Sequence, residues 1–166
     1  TGEADAMVTG HSRSYPSTIK PVMQLIDKAP GVSKIATTNM MMTARGPIFL
    51  SDTAINPNPS ADDLARIALM TAKTVRMFGM EPVIAMVSYS NFGSSNNEGP
   101  SKVSQAVAYL HENFPDLIVD GEIQTDFALN SEMLKSKFPF SKLVNKKVNT
   151  LIFPNLDAAN ITYKLL

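Results

Sequence analysis

Leu117-Ile118-Val119-Asp120-Gly121-Glu122 and Thr150-Leu151-Ile152-Phe153-Pro154-Asn155-Leu156-Asp157 decide the fold class of this chain. Each reads as a short apolar strand that runs into a polar turn and then a helix. Repeated units of this kind build open α/β sheets, where ligand-binding groups collect outside the C-terminal ends of the strands. The pattern recurs upstream. Val83-Ile84-Ala85-Met86-Val87 is a nearly continuous apolar strand, as expected where both faces of a sheet are covered. It leads into a polar loop over 88–97 and a helix over 101–114. Earlier, Pro47-Ile48-Phe49-Leu50 ends at Ser51-Asp52, and Asn56-Pro57-Asn58-Pro59 then holds the chain extended.

Ser60-Ala61-Asp62-Asp63 is a helix start: Ser60 caps free amides, and the two aspartates place negative charge in the first turn. Leu64, Ile67, Ala68, Thr71, Ala72 and Val75 continue it at helical spacing to Gly79. Arg45-Gly46 reads as a tight turn joining the Pro47 strand to one over 33–42, which makes a hairpin or a bent neighbouring pair. A helix beginning near Pro16 carries Ile19, Val22, Met23, Leu25 and Ile26, tolerates Pro21, and stops at Ala29-Pro30-Gly31. Ala6-Met7-Val8 is a short strand candidate. Residues 123–129 read as a short helix. Over 130–149 the pattern is weak, with Met133, Leu134, Phe138, Phe140 and Leu143 padding a layer edge. A last strand over 148–153 and a last helix over 156–166 close the chain. This alternation predicts one α/β domain over 1–166, a three-layer α/β/α arrangement with a mostly parallel sheet.

Composition narrows the function classes. Apolar residues make up 44% and charged residues 18%, the profile of a globular chain able to bury a core. Lys plus Arg and Asp plus Glu number 15 each, so no basic stripe is offered to nucleic acid. The densest basic group, Lys142, Lys146 and Lys147, reads as a solvated loop. With no cysteine, disulfide and thiol chemistry are excluded and a cytoplasmic setting is expected. His11 and His111 are the only histidines, too few for a His-rich zinc site. No stretch approaches the ~20 apolar residues of a membrane span. The opening Thr1-Gly2-Glu3-Ala4 and a helix running to Leu166 predict a piece of a larger multidomain protein.

Four polar segments follow predicted strands: residues 51–56, residues 88–95, Asp120-Gly121-Glu122, and residues 155–160. Parallel strands would bring them to one sheet edge, where small hydroxyls, amides and helix N-termini cradle phosphate or carboxylate groups. Asp52, Ser88, Ser90, Gly93, Asp120, Glu122, Asn155 and Asn160 are therefore the candidate contacts for a phosphate or carboxylate group around one cleft. The alternative is that Ser, Asn, Gly and Asp simply make turns and caps there. Asp120 and Glu122 read either as a substrate-positioning pair or as a helix cap and a dipole partner, with Asp120 mainly the cap. Arg13 and Arg45 are possible anion contacts, since arginines beside turns meet phosphates bidentately, or else solvent-facing tethers. Ser88 and Ser90 lack a His base, which disfavours a Ser–His–Asp hydrolase. No dinucleotide or P-loop glycine pattern is present.

The segments 51–59, 81–90, 115–124 and 149–161 together resemble the phosphate acetyl/butyryltransferase family over essentially the full length. The resemblance implies the second of two α/β domains of a phosphotransacetylase. Met7-Val8-Thr9-Gly10-His11-Ser12-Arg13-Ser14-Tyr15, Asn91-Phe92-Gly93-Ser94 and Asn155-Leu156-Asp157-Ala158-Ala159-Asn160 resemble the form in the C-terminal phosphotransacetylase-like region of bacterial NADP-dependent malic enzymes. That implies an acetyl-CoA-sensing regulatory domain whose parent oxidatively decarboxylates malate to pyruvate. NADP and a divalent metal are implied for the parent, and no cofactor for these residues. Two alternatives stand beside it: part of a free-standing phosphate acetyltransferase, and a structural dimerisation module. The family's catalytic Ser-Arg and Asp groups lie beyond the helix ending at Leu166, so no catalytic residue is assigned and these residues alone are expected to be inactive. Acetyl-CoA is the expected effector, and neighbouring domains and a homodimer or larger C₂ assembly the expected partners, through residues 133–143 or the helix over 156–166.

Overall fold

The computed structural model describes residues 8, 14–30, 32 and 34–166. Two compact units divide the chain, residues 1–35 and residues 36–166. In the first, helix α1 spans Tyr15–Leu25, with a proline in its first turn and Pro21 inside it. The Ser17 and Thr18 hydroxyls both donate to the Ser14 carbonyl, 2.8 and 3.1 Å away. Ile26 is already extended, so the helix ends about one turn before Ala29-Pro30. The strand expected at 6–8 and the residues His11 and Arg13 fall outside the described residues, apart from Val8.

In the second unit the described residues form a five-stranded sheet of order β1-β2-β5-β3-β4. The strands are β1 (Thr38–Thr43), β2 (Gly46–Ser51), β3 (Val83–Val87), β4 (Ile118–Ile123) and β5 (Thr150–Ile152). β1 and β2 make the predicted antiparallel hairpin, and the β2–β5, β5–β3 and β3–β4 pairs are all parallel. Helices α2 (Ala61–Met77), α3 (Glu98–Asn113), α4 (Thr125–Leu129), α5 (Ser131–Lys137) and α6 (Leu156–Leu165) complete the unit. No helix among the described residues is long and apolar enough to cross a membrane.

Strand alternation sorts the core into two faces. Ile84, Met86, Val119 and Ile152 pack with Leu64, Ile67, Ala68 and Ala72 of α2 and with Val103, Val107 and Leu110 of α3. Val83, Ala85, Val87, Leu50 and Leu151 pack on the other face with Ala128, Leu134, Leu143, Phe153 and Ala159. Every residue of β3 is buried, as its unbroken apolar run requires. α2 opens with a full capping box: Asp63 N donates to Ser60 Oγ at 3.2 Å, and Ser60 N donates to Asp63 Oδ2 at 3.0 Å.

Three predicted boundaries are corrected. α3 begins at Glu98 instead of 101, because Pro100 sits where a first-turn amide would have no partner. Residues 130–149, read as nearly patternless, contain α5, capped by Asn130 Oδ1 accepting from Met133 N at 3.1 Å. Asp120-Gly121-Glu122 is not a turn. β4 runs through it to Ile123, with Met86 opposite Gly121, Val87 opposite Ile123, and a register shift that leaves Glu122 unpaired as a bulge. Gly121 has φ +144°, and a Cβ there would overlap the Met86 carbonyl oxygen and lie 3.1 Å from Met86 Cβ. Only glycine fits.

Candidate functional site

Parallel pairing puts the ends of β2, β5, β3 and β4 at one sheet edge, and the polar segments after them assemble there. Asp52 follows β2. Its Oδ1 accepts from Thr37 N (3.0 Å), Thr37 Oγ1 (2.5 Å), Ala54 N (3.1 Å) and Ile55 N (3.3 Å), and its Oδ2 from Asn56 N (2.8 Å) and Asn56 Nδ2 (2.5 Å). Burial pushes its pKa up, but the hydrogen bonds from Thr37, Ala54 and Asn56 outweigh that and hold it below the ordinary aspartate value. Both oxygens are spent on the chain's own donors, folding residues 52–56 around one carboxylate. Asn160 joins the same corner, its Nδ2 donating to Thr53 O at 3.2 Å.

The loop after β3 is fastened to the end of β4. Glu122 Oε1 accepts from Ser90 Oγ (3.0 Å) and Gly93 N (2.5 Å), and Glu122 O accepts from Phe92 N (2.7 Å). Gln124 N donates to Asn91 Oδ1 at 2.8 Å, and Gln124 Nε2 to Tyr89 O at 2.7 Å. Ser90 is itself buried and also accepts from Ser95 N at 3.0 Å. Asp120 points elsewhere. Ser141 Oγ and Lys142 N donate to its Oδ2 at 2.8 and 2.7 Å, and His111 Nε2 stands 3.8 Å from Oδ1. The helix-cap reading of Asp120 is therefore corrected: it ties down the 141–142 segment, and the N-cap position of α4 belongs to Gln124.

Two cavities open beside these loops. The first, about 220 Å³, is lined by Asn58, Ser88, Tyr89, Glu98, Gly99, Lys102, Pro154 and Asn155. The second, about 300 Å³, includes Gly93, Ser95, Asn96, Ser101, Ser104, Gln105 and Glu122. Ser88 and Asn155 thus share one cavity, Gly93 and Glu122 the other, while Asp52, Ser90, Asp120 and Asn160 line neither. Arg45 sits in the turn before β2, at the far end of that strand from Asp52, with Nη1 donating to Leu129 O at 3.1 Å.

The first cavity carries one cation and one carboxylate on its wall, Lys102 and Glu98. Lys102 brings a cation, held 2.5 Å from Asn58 Oδ1, and burial lowers its pKa against the opposing pull of Glu98. Gly99 belongs to the first turn of α3, where N–H groups have no intrahelical partner, and Asn97 supplies no side-chain cap. At α6, by contrast, Asn155 Oδ1 already accepts from Ala158 N at 2.9 Å. Lys102 and Asn58 escaped the sequence reading. An exposed-patterned lysine in a helix and an asparagine between prolines carry no mark of their meeting 44 residues apart; the Glu98-Gly99-Pro100 helix start was the one available signal.

Comparison with known proteins gives the family and the fold. A family model described as phosphate acetyl/butaryl transferase matches residues 1–166. The NADP-dependent malic enzyme of Escherichia coli is 40% identical over 165 residues, covering 99% of this chain and 22% of that protein. The phosphate acetyltransferase of Acetivibrio thermocellus is 39% identical, covering 99% of this chain and 51% of that protein. Among solved structures, a phosphotransacetylase from Streptococcus pyogenes superposes with a TM-score of 0.84 at 36% identity, over 94% of this chain and 48% of its own. The chain thus spans about a fifth of this malic enzyme and about half of these two transferases.

Proposed function

This chain belongs to the phosphate acetyl/butaryl transferase family, and from that premise we propose that it is an acetyl-CoA-responsive regulatory domain of an NADP-dependent malic enzyme. The observation that carries the ligand class is the first cavity, where Lys102, Ser88 and the uncapped start of α3 face one space at the strand ends. Glu98 on the same wall offsets Lys102 in net charge, so the reading rests on the lysine head group and the free N–H groups of the helix start as local donors to a phosphate or carboxylate. The malic-enzyme parent is supported by a match running over 99% of this chain. In that parent, oxidation and decarboxylation of malate, with NADP and a divalent metal, belong to other parts of the polypeptide. Among the described residues no group of three or more His, Cys, Asp or Glu is placed to hold a metal ion, so no step is assigned to one here.

A second reading is favoured by the equally extensive match to phosphate acetyltransferases: a part of an enzyme that moves acetyl between CoA and phosphate. Titrating the full-length protein with acetyl-CoA while following NADP reduction by malate separates the two. Saturable binding that changes the malate-dependent rate, without acetyl phosphate formation, supports the regulatory reading. Acetyl phosphate turnover on the order of 1 s⁻¹ or faster supports the second and overturns the first.

Self-association is part of the same reading. Of the two surfaces expected, residues 133–143 have Leu134 and Leu143 fully buried, leaving Met133 and Phe140 exposed, whereas Ile161, Leu165 and Leu166 of the α6 region are all exposed. α6 is the better candidate for a C₂ contact. Sedimentation of the full-length protein as a monomer at micromolar concentration would count against it.

A further inference from the structure

Phe140 is 69% exposed, yet its place is fixed from both sides. Its ring meets Phe92 edge-on, 5.0 Å between centroids, and Phe138 at 6.1 Å. Phe138 in turn meets Phe92 at 5.0 Å and Phe127 at 5.1 Å. The backbone that follows is tied down. Ser141 N donates to Phe138 O at 3.0 Å, and Ser141 Oγ and Lys142 N donate to the buried Asp120. Pro139 fixes φ between the two rings. Phe92 joins the stack from the 88–97 loop with φ +44°, a left-handed conformation uncommon for a bulky side chain. An aromatic ring that projects into water from a pre-ordered base loses little freedom when covered, which is the property of an interface anchor.

Lysines flank this ring along the chain. Residues 126–147 hold five, Lys135, Lys137, Lys142, Lys146 and Lys147, against two acids, Asp126 and Glu132. That is an excess of three positive charges in a chain whose formal net charge is zero. All five lysines are exposed. Lys147 Nζ donates to Arg45 O, and among the described residues no ion pair engages Lys135, Lys137, Lys142 or Lys146. The complementary surface has an apolar pocket for the ring and carboxylates around it. Nucleic acid is disfavoured because the chain as a whole has no positive excess. A bilayer is disfavoured because Leu134 and Leu143 are fully buried, which leaves no broad apolar face.

Area decides where that surface comes from. One aromatic side chain contributes at most about 250 Å², far below the roughly 800 Å² per partner of a stable complex between separate molecules. So small a contact holds when both sides share one polypeptide and meet at high effective concentration. The malic-enzyme relative is matched over 22% of its length, so most of such a polypeptide lies elsewhere. Resting on the reading of this chain as one domain of such an enzyme, we propose that Phe140 and its lysines dock it onto another part of the same polypeptide, outside these residues, at an apolar pocket rimmed by Asp and Glu.

Hydroxyl-radical footprinting of the full-length protein tests this, with oxidation of Phe140 read by mass spectrometry against the urea-unfolded chain. NADP reduction by malate is followed on the same sample. Phe140 is expected to oxidise several-fold more slowly in the folded protein, and to the same degree across about a hundredfold dilution. Its oxidation should rise several-fold at about 1 M salt, where the Debye length falls to about 3 Å. The same rise is expected in the Lys137→Glu/Lys142→Glu variant, which leaves the aromatic stack and the Lys142 N–H bond in place. Phe140 oxidised as fast as in the unfolded chain, in a protein that oxidises malate, overturns the docking and leaves the malic-enzyme reading standing. Protection that disappears on dilution assigns the cover to a second copy and overturns the proposal. Protection indifferent to both salt and the lysine variant overturns the acidic rim. Protection that meets every expectation in a protein that does not oxidise malate upholds the docking and refutes the malic-enzyme parent.

Discussion

Replacing Gly121 with alanine should be among the most damaging single-methyl changes available to this chain, and the structure says by how much. Gly121 has φ +144°, a conformation that costs an L-residue about 1–3 kcal/mol. The added Cβ would also overlap the Met86 carbonyl oxygen and sit 3.1 Å from Met86 Cβ and 3.2 Å from its carbonyl carbon. Met86 is a fully buried residue of a central strand, so the backbone cannot retreat without disturbing both neighbours. Overpacking of this kind adds about 1–3 kcal/mol. The sum is roughly 2–6 kcal/mol, or a fall in melting temperature of roughly 4–24 °C. Gly79 provides the internal control. Its φ is +72°, yet nothing lies within 4 Å of a Cβ built there, so Gly79→Ala should cost only the conformational part, about 1–2 kcal/mol. Urea denaturation followed by circular dichroism measures both variants. If Gly121→Ala loses no more stability than Gly79→Ala, the crowding argument is wrong and β4 does not pass Met86 as described.

The remaining expectations are smaller. Asp52→Asn should cost about 2–3 kcal/mol near neutral pH, since hydrogen bonds to a charged acceptor are the ones weakened. Because the folded pKa of Asp52 lies below its unfolded value, its contribution is complete above about pH 4 and lost as pH falls through the folded pKa; acid titration of the melting temperature should be shallower in the variant than in the unaltered protein. Ser60→Ala removes one half of the α2 capping box and should cost about 1 kcal/mol in a denaturant melt. Lys102→Met should weaken binding of inorganic phosphate and flatten its salt dependence, whereas Lys146→Ala, at an exposed position, should leave both unchanged in the same titration. Ser88→Ala should reduce the acetyl-CoA response by about 0.5–1.5 kcal/mol, read as a shift in the half-saturating concentration.

Much of the fold was legible because its signals are local. The Arg45-Gly46 turn, the Ser60-x-x-Asp63 box and the unbroken apolar run Val83–Val87 each state their element within a few residues. Asp120-Gly121-Glu122 misled because aspartate and glycine are turn formers by local propensity. The strand continues there with Ser90 and Gly93, 32 and 29 residues away, donating to Glu122 Oε1, and with a bare glycine that lets β3 approach. α5 was hidden for a related reason: at 7 residues it is too short for its periodicity to stand out. The site divides the same way. Loops after strands could be found by counting strands, but the separation of Ser88 and Asn155 from Gly93 and Glu122 depends on which face of α3 each loop meets.

The fastening of the 88–97 loop has a dynamic corollary. The amides of Phe92, Gly93, Ser95 and Gln124 each depend on Glu122, or on Ser90 or Asn91 within the loop it holds. Breaking the Glu122 carboxylate contact removes the reason for the others to stay closed, so these amides should exchange with solvent deuterium as one cooperative unit, with a shared opening free energy below that of the β3 core. Any molecule seated against Glu122 would then be recorded twice: once as bound ligand, and once as slowed exchange at backbone positions it never touches.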